Sequence, residues 1–273
     1  MVTYWHFVKQ PKCVERKREV LLTNSSPMRH TETSEFAETP KAHSVQRMVG
    51  APFYSDEYVT LYHGDCLEIL PTIEHGDTCI VDPVWPNSVF TDIKDPAALF
   101  AEAAALLNVQ RLVVQLGCSS DPRFLAGVPQ SLPFLRACWL EYASPSYRGR
   151  ILIGSDLAYA FGAPPSSRPG RRVLPGRCMA KKNDTKSWHT GRGHGSSDGI
   201  EYDKLPHPSP RRLEHVSWLV SVFADACVID PFCGVATTLL AAKSHGLRAI
   251  GIEREEKYCD IGAQRLQQAM LAL

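Results

Sequence analysis

From Val59 onward the chain alternates short apolar runs with segments of helical spacing. Val59-Thr-Leu-Tyr62 reads as a strand, Gly64-Asp65 as a turn, and Leu67, Ile69 and Leu70 as one helical turn. Thr78-Cys-Ile-Val81 is a buried strand running directly into Asp82-Pro-Val-Trp85. Residues 96–107 are rich in Ala and Leu and predict a helix, and Arg111–Leu116 predicts a further buried strand closed by Gly117 and Ser-Ser-Asp-Pro. Leu135–Tyr142 and Asp156–Phe161 complete the first group of strands. From residue 163 to about 209 the chain is Pro- and Gly-rich and loses its periodicity. Order returns with a helix over Leu213–Phe223, a strand at Cys227–Asp230 and a helix over Ala236–Ser244 stopped by Gly246. A strand at Arg248–Glu253 and a helix over Glu255–Leu271 close the pattern. Short apolar strands alternating with helices predict an α/β fold with a mostly parallel sheet. Residues 1–45 show no sustained periodicity, which predicts a flexible N-terminal arm over about 1–50, with a DNA-contacting or dimerising arm as the alternative.

Composition adds little until the charges are located. A hydrophobic fraction of 44% with 22% charged residues excludes wholesale disorder and coiled coil for this 273-residue chain. No apolar run approaches the roughly 20 residues of a membrane span, and the Met1 region lacks the apolar core of a signal peptide. Nine cysteines, an odd number without a CxxC pair, fall largely inside apolar runs, as at Cys79 and Cys227. There cysteine behaves as a small hydrophobe, which predicts a reducing, cytoplasmic setting. The formal net charge is +1, but it is unevenly spread. Ten basic residues between Arg148 and Gly195 face only Asp156 and Asp184, so that segment carries +8 and the remainder −7.

Two stretches carry candidate chemistry. The first is Val228-Ile-Asp230-Pro-Phe232-Cys-Gly234-Val-Ala236-Thr237-Thr238, followed by a helix and Gly251-Ile-Glu253. A strand ending in an acid, a Gly-bearing turn, a helix and a second strand ending in an acid suits a nucleoside: Gly admits close backbone approach, and the second acid can accept hydrogen bonds from a ribose diol. The dinucleotide pattern G-x-G-x-x-G is absent. The second stretch is Asp82-Pro83-Val84-Trp85 at a strand end. A base's exocyclic amine is a poor nucleophile because its lone pair is delocalised into the ring. A carboxylate on Asp82 and the carbonyl of Pro83 can accept its two N–H bonds and stabilise the charge that develops on nitrogen. Proline fixes φ at that point and brings no competing N–H, and Trp85 offers a face for a flipped base.

Asp-Pro-Phe-x-Gly-x-x-Thr-Thr resembles motif I of the amino-methyltransferases that act on DNA, and Asp82–Trp85 resembles their motif IV, written Asp-Pro-Pro-Tyr or Ser-Pro-Pro-Trp. His207-Pro-Ser-Pro resembles the His-Pro segment that precedes motif I. Gly64-Asp65-Cys66 resembles the Gly-Asp found before the catalytic strand, though Asp65 also reads as a helix N-cap. Catalytic strand first, basic segment second and cofactor motif last is the order of the β class. The resemblance spans residues from about 55 to 270. It implies a permuted Rossmann-like methyltransferase fold with a mostly parallel central sheet: a catalytic half over 55–162, a target-recognition insertion over 163–205 and a cofactor-binding half over 206–273. It implies S-adenosylmethionine held by Asp65, Cys66, His207, Asp230, Phe232, Gly234, Thr237 and Glu253, with Asp82, Pro83 and Trp85 catalytic. Double-stranded DNA would be gripped by Arg168, Arg171, Arg172, Arg177, Lys181, Lys182, Lys186, Trp188 and Arg192, and a homodimer is the assembly expected of the class. Two departures stand out. Val84 replaces the second Pro of motif IV and predicts a less rigid loop, and Ala236 replaces a second Gly and predicts crowding at the methionine end.

The implied reaction is direct in-line methyl transfer to a flipped base in duplex DNA. Adenine N6 is favoured by the Asp that leads motif IV; cytosine N4 is the alternative, favoured by Trp85. No Pro-Cys dipeptide supplies a nucleophile for cytosine-C5 chemistry, and no cluster of metal ligands is visible. A non-catalytic DNA-binding protein on the same fold, and methylation of RNA or of protein glutamine, stay open. Recognition sequence and any restriction endonuclease partner are not written in the chain.

Overall fold

A computed structural model describes residues 50–85, 93–167, 173–179 and 211–271. The residues Arg168, Arg171, Arg172, Lys181, Lys182, Lys186, Trp188 and Arg192 expected to grip DNA, together with His207 and the arm before residue 50, lie outside the described residues.

Among the described residues nine strands form one sheet: β1 (Tyr54–Ser55), β2 (Val59–His63), β3 (Gly76–Val81), β4 (Val109–Gly117), β5 (Phe134–Arg148), β6 (Ile151–Gly162), β7 (Arg177–Met179), β8 (Cys227–Asp230) and β9 (Arg248–Glu253). Their spatial order is β1-β2-β9-β8-β3-β4-β6-β5-β7. The run β2-β9-β8-β3-β4 is parallel throughout, while β1, β6 and β5 join antiparallel neighbours and β7 runs parallel to β5. The last two strands of the chain therefore fill the gap between β2 and β3, which is the permuted Rossmann-like arrangement.

Strand alternation distributes the core over both faces. On β4, Leu112, Val114 and Leu116 pack with Cys79, Val81, Phe100 and Phe124, whereas Val113 joins Ile80 on the opposite face. The first face is covered by α2 (Pro96–Leu106) and a 3₁₀ segment at Pro122–Gly127, with α1 (Cys66–Ile69) beside it. The second is covered by α3 (Leu213–Phe223), α4 (Thr237–Ser244) and α5 (Glu256–Leu271). Helix α2 starts where Asp95 accepts from the N–H groups of Ala97 and Ala98, with Pro96 at its first position.

Two features exceed the sequence-based expectation. The β5–β6 hairpin is much longer than the strands expected at 135–142 and 156–161. Its register shifts between Glu141 and Ser146, so Pro145 falls in an irregular stretch rather than ending the strand. Strand β7 also lies within the segment expected to be irregular. At the base of the sheet, Asp77 accepts the N–H groups of Asp225 and Cys227 at 3.0 and 2.6 Å and that of Ala226, while buried Arg111 reaches Asp77, Thr78, Asp225 and the Phe223 carbonyl. This node ties the end of α3 and the start of β8 to β3. Seven of the eight described cysteines are buried and all eight are free thiols. Among the described residues no helix is long and apolar enough to cross a membrane.

Candidate active site

The sheet defines where a ligand can sit. From β8 the chain crosses through α4 to β9 on one side, and from β3 it crosses through α2 to β4 on the other. The carboxyl ends of β8 and β3 therefore flank the point where strand order reverses, where open α/β sheets form their crevice. Asp230 ends β8, Asp82 follows β3 directly, and Glu253 ends β9.

The turn after β8 is built to bring backbone close to this crevice. Gly234 has φ of 52° and Ala236 has φ of 63°, the left-handed region that a side chain disfavours. The Ala236 N–H donates to the Cys233 carbonyl at 2.8 Å, and the Cys233 N–H donates to the Ile252 carbonyl at 3.0 Å. Beneath the turn, buried Arg265 on α5 donates to the Val235 carbonyl and to the Thr237 hydroxyl. The crowding expected at Ala236 falls on α5 instead. Its fully buried methyl faces Gly262, where an added Cβ would lie only 3.0 Å from it.

The acids are anchored by backbone donors. Glu253 accepts from the Gly234 N–H at 2.9 Å through one oxygen and from the Glu255 N–H at 2.8 Å through the other. Asp230 accepts from the Phe232 N–H at 3.1 Å and from the Thr238 hydroxyl. Burial is the main cause that pushes the Asp230 carboxyl up to about 7; the charges of Asp82 and Glu253 add to it, and these two hydrogen bonds oppose it. Burial likewise raises Glu253 against its N–H donors. Asp65 caps α1 by accepting from the Leu67 N–H at 2.8 Å, and the neighbouring Gly64 N–H donates to the Glu253 carbonyl at 3.0 Å. Cys66 is thereby brought beside Glu253, and burial pushes its thiol up to about 12. Asp230, Glu253, Phe232, Gly234, Asp65 and Cys66 thus gather at the ends of β8, β9 and β2, while the Thr237 hydroxyl is taken by Arg265.

The loop after β3 carries the second half of the site. Pro83 is buried, and Trp85 lies partly buried against Phe124, with ring centroids 5.3 Å apart, and donates to the Asp82 carboxylate. Arg211, not among the residues expected at the site, completes it. Its Nε and Nη2 donate to the two Asp82 oxygens, each at 2.6 Å, and its Nη1 donates to Asp156 at 2.7 Å. Burial raises the Asp82 carboxyl and the Asp156 charge adds to this, while Arg211 and the Trp85 indole oppose it. A signal for Arg211 does exist in the sequence. Arg211 and Arg212 stand at the start of α3, where the helix dipole disfavours cations, so their presence there implies an anion nearby. Of the basic residues expected to grip DNA, only Arg177 is described. It is exposed on edge strand β7 and lies 3.3 Å from Glu141.

Residues 142–264 match the family model described as DNA methylase. The chain is 28% identical over 275 aligned positions to the Type II methyltransferase M.ScaI of Streptomyces caespitosus, covering 82% of this chain and 86% of that protein. A shorter stretch of 59 residues is 51% identical to the Type II methyltransferase M.HinfI of Haemophilus influenzae, 22% of this chain and 16% of that one. Among solved structures, the M1.HpyAVI–SAM complex superposes with a TM-score of 0.56 at 22% identity, over 76% of this chain and 98% of that one. The cytosine-N4-specific PvuII DNA methyltransferase superposes with a TM-score of 0.59 at 15% identity, over 78% and 88%.

Proposed function

We propose that the chain is an amino-methyltransferase acting on DNA, which methylates the exocyclic N6 amine of adenine in the duplex with S-adenosylmethionine as methyl donor; the DNA methylase model matched over residues 142–264 and the similarity to M.ScaI support this reading. The observation that carries this reading is the position of Asp82 at the end of β3. It faces the switch-point crevice within electrostatic reach of Asp230 on the neighbouring strand. Related proteins carry names that fit: M.ScaI and M.HinfI are Type II methyltransferases, which makes a restriction-modification role the natural setting.

The residues present fit the cofactor. Glu253 accepts from the backbone N–H groups of Gly234, Glu255 and Arg254, which leaves one carboxylate lone pair for a ribose hydroxyl. Asp230 feels the like charges of both Asp82 and Glu253, and a cationic ligand relieves that repulsion. When bound, S-adenosylmethionine supplies an electrophilic methyl on a cationic sulfur. Glu253, with Asp65 and Cys66 beside it, would hold the adenosine end, while Asp230, Phe232 and Gly234 would line the turn against the remainder, with His207 and Thr237 near the methionine end.

The chain's own part in the chemistry is positional and electrostatic. Asp82 and the Pro83 carbonyl accept the two amine N–H bonds, localise the lone pair on nitrogen and stabilise its developing positive charge. Trp85 bounds the pocket for the flipped base. Phosphate contacts from the basic segment, Arg177 among them, supply affinity that falls as salt rises. Trp85 in place of Tyr favours cytosine N4 as the second reading.

Labelled methyl transfer to duplex DNA, followed by mass spectrometry of the digested nucleosides, tests the proposal. N6-methyladenine is the expected product and N4-methylcytosine selects the second reading. Tight cofactor binding with methyl on neither base would overturn the assignment in favour of a non-catalytic DNA-binding protein.

A further inference from the structure

Arg211 occupies a place where the proposed reaction requires no cation. Its guanidinium, only 17% exposed, uses three donors on two carboxylates: both oxygens of Asp82 and one of Asp156. The far anchor is itself fixed. Asp156 accepts from the Tyr142 hydroxyl, and the Tyr142 ring stacks on His215 at 5.8 Å between centroids, with the Arg212 guanidinium 4.3 Å from its centre. The His215 ring nitrogen Nε2 in turn lies 3.0 Å from the Glu141 carbonyl. The chain of contacts runs from Asp82 on β3 through Arg211 to Asp156 on β6 and Tyr142 on β5.

We propose that Arg211 is the positioning residue for Asp82: its bidentate fork fixes the plane of the carboxylate so that the remaining lone pairs face the target amine, and Asp156 fixes the fork. The inference rests on the reading of Asp82 as the amine acceptor. Two arguments favour a resident fork over a latch that must open. Departure of Arg211 would break three charge-assisted bonds and leave two partly buried carboxylates unpaired, an arrangement strongly penalised in a low-dielectric site. In addition, the fork takes one lone pair from each Asp82 oxygen and the Trp85 indole a third, so one remains and the amine can bind without displacing the fork.

The test compares Arg211→Ala, Arg211→Lys and Asp156→Asn in the full chain, with Asp82→Ala as the control for the underlying reading. Single-turnover methyl transfer, cofactor binding and thermal melting are measured for each. Arg211→Ala is expected to slow transfer about 10- to 100-fold, the scale on which orienting partners act, with cofactor affinity unchanged. Arg211→Lys keeps charge but not the planar fork and falls between. Asp156→Asn slows transfer less than Arg211→Ala. The acid limb of the rate profile supplies the readout that mere stability would not move. Asp82 is faced by Arg211, Asp156, Asp230 and the Trp85 indole. Losing Arg211 removes the group that favours its ionised form, so the limb shifts to higher pH. If Arg211→Ala fails to fold, Arg211→Lys carries the test, because it keeps the charge and loses the planar fork: slowed transfer at unchanged cofactor affinity is expected. Wild-type or faster transfer in either variant, or an unshifted acid limb in folded Arg211→Ala, overturns the proposal. An active Asp82→Ala overturns the reading beneath it instead.

Discussion

Ala236 and Gly262 form a compensated pair whose coupling can be measured. Ala236 holds a left-handed conformation with its methyl fully buried, and a Cβ added at Gly262 would meet that methyl at 3.0 Å. Its next neighbours, the Ala236 amide nitrogen and Leu61, stand at 3.6 Å, an ordinary contact. Gly262→Ala alone is therefore expected to destabilise by about 1–3 kcal/mol through overpacking. Ala236→Gly alone relieves about 1–2 kcal/mol of backbone strain but loses a buried methyl worth about 0.8 kcal/mol and gains chain entropy when unfolded, so its net effect is within about 1 kcal/mol of zero. In the double variant the clash is gone and α5 gains roughly 1 kcal/mol of helix propensity from Ala over Gly. The two substitutions should couple favourably by about 2 kcal/mol or more, read as a double-mutant cycle from urea unfolding. Additive effects would refute the claim that Gly262 exists to receive the Ala236 methyl. Cofactor affinity followed in the same variants reports whether the turn keeps its shape.

Asp82→Ala should abolish methyl transfer while leaving cofactor binding intact, checked by single-turnover kinetics and equilibrium binding. Asp230 titrates near neutrality because burial raises it from the ordinary carboxylate value of 3.8 to about 7. The stability it lends is full below about pH 4 and is lost as pH rises through 7, a change of at most about 4 kcal/mol. Unfolding at pH 5 and pH 8 should show the loss, and Asp230→Asn should remove it. A cationic ligand favours ionised Asp230, so cofactor affinity should rise across the same interval. Asp77→Ala removes the acceptor for three backbone N–H groups and a partner of buried Arg111, and should cost about 3–5 kcal/mol by urea unfolding. Gln115, fully buried on β4, has a side-chain nitrogen without a hydrogen-bond partner among the described residues. Gln115→Leu should therefore stabilise by about 1 kcal/mol in the same assay.

Most of the architecture was legible in the chain. Local periodicity set the helix at Leu213–Phe223 and the strands at Cys227–Asp230 and Arg248–Glu253 with their observed ends. The site was legible where strand ends carry acids, since a parallel sheet gathers those ends on one side. The hairpin's length was not, because Pro145 and Gly149 are residue types that disfavour a strand interior, while a register shift tolerates the first and a left-handed turn uses the second. Arg211 carried only an indirect signal, for a different reason. Its partners stand 129 and 55 residues away in sequence, and only the assembled sheet brings them together.

The permuted strand order constrains how the chain comes off the ribosome. Thr78 pairs with Val228 and Val59 with Ala249, so the middle of the sheet consists of contacts between segments synthesised far apart. Until β8 and β9 emerge, β2 and β3 each present an open apolar edge with no neighbour to cover it. Such a chain closes its core late and folds slowly, with exposed edges that invite association with other nascent chains. The same order has Asp82 synthesised well before Asp230 and Glu253. A product lacking β8 and β9 cannot assemble the crevice in which a methyl group would be transferred.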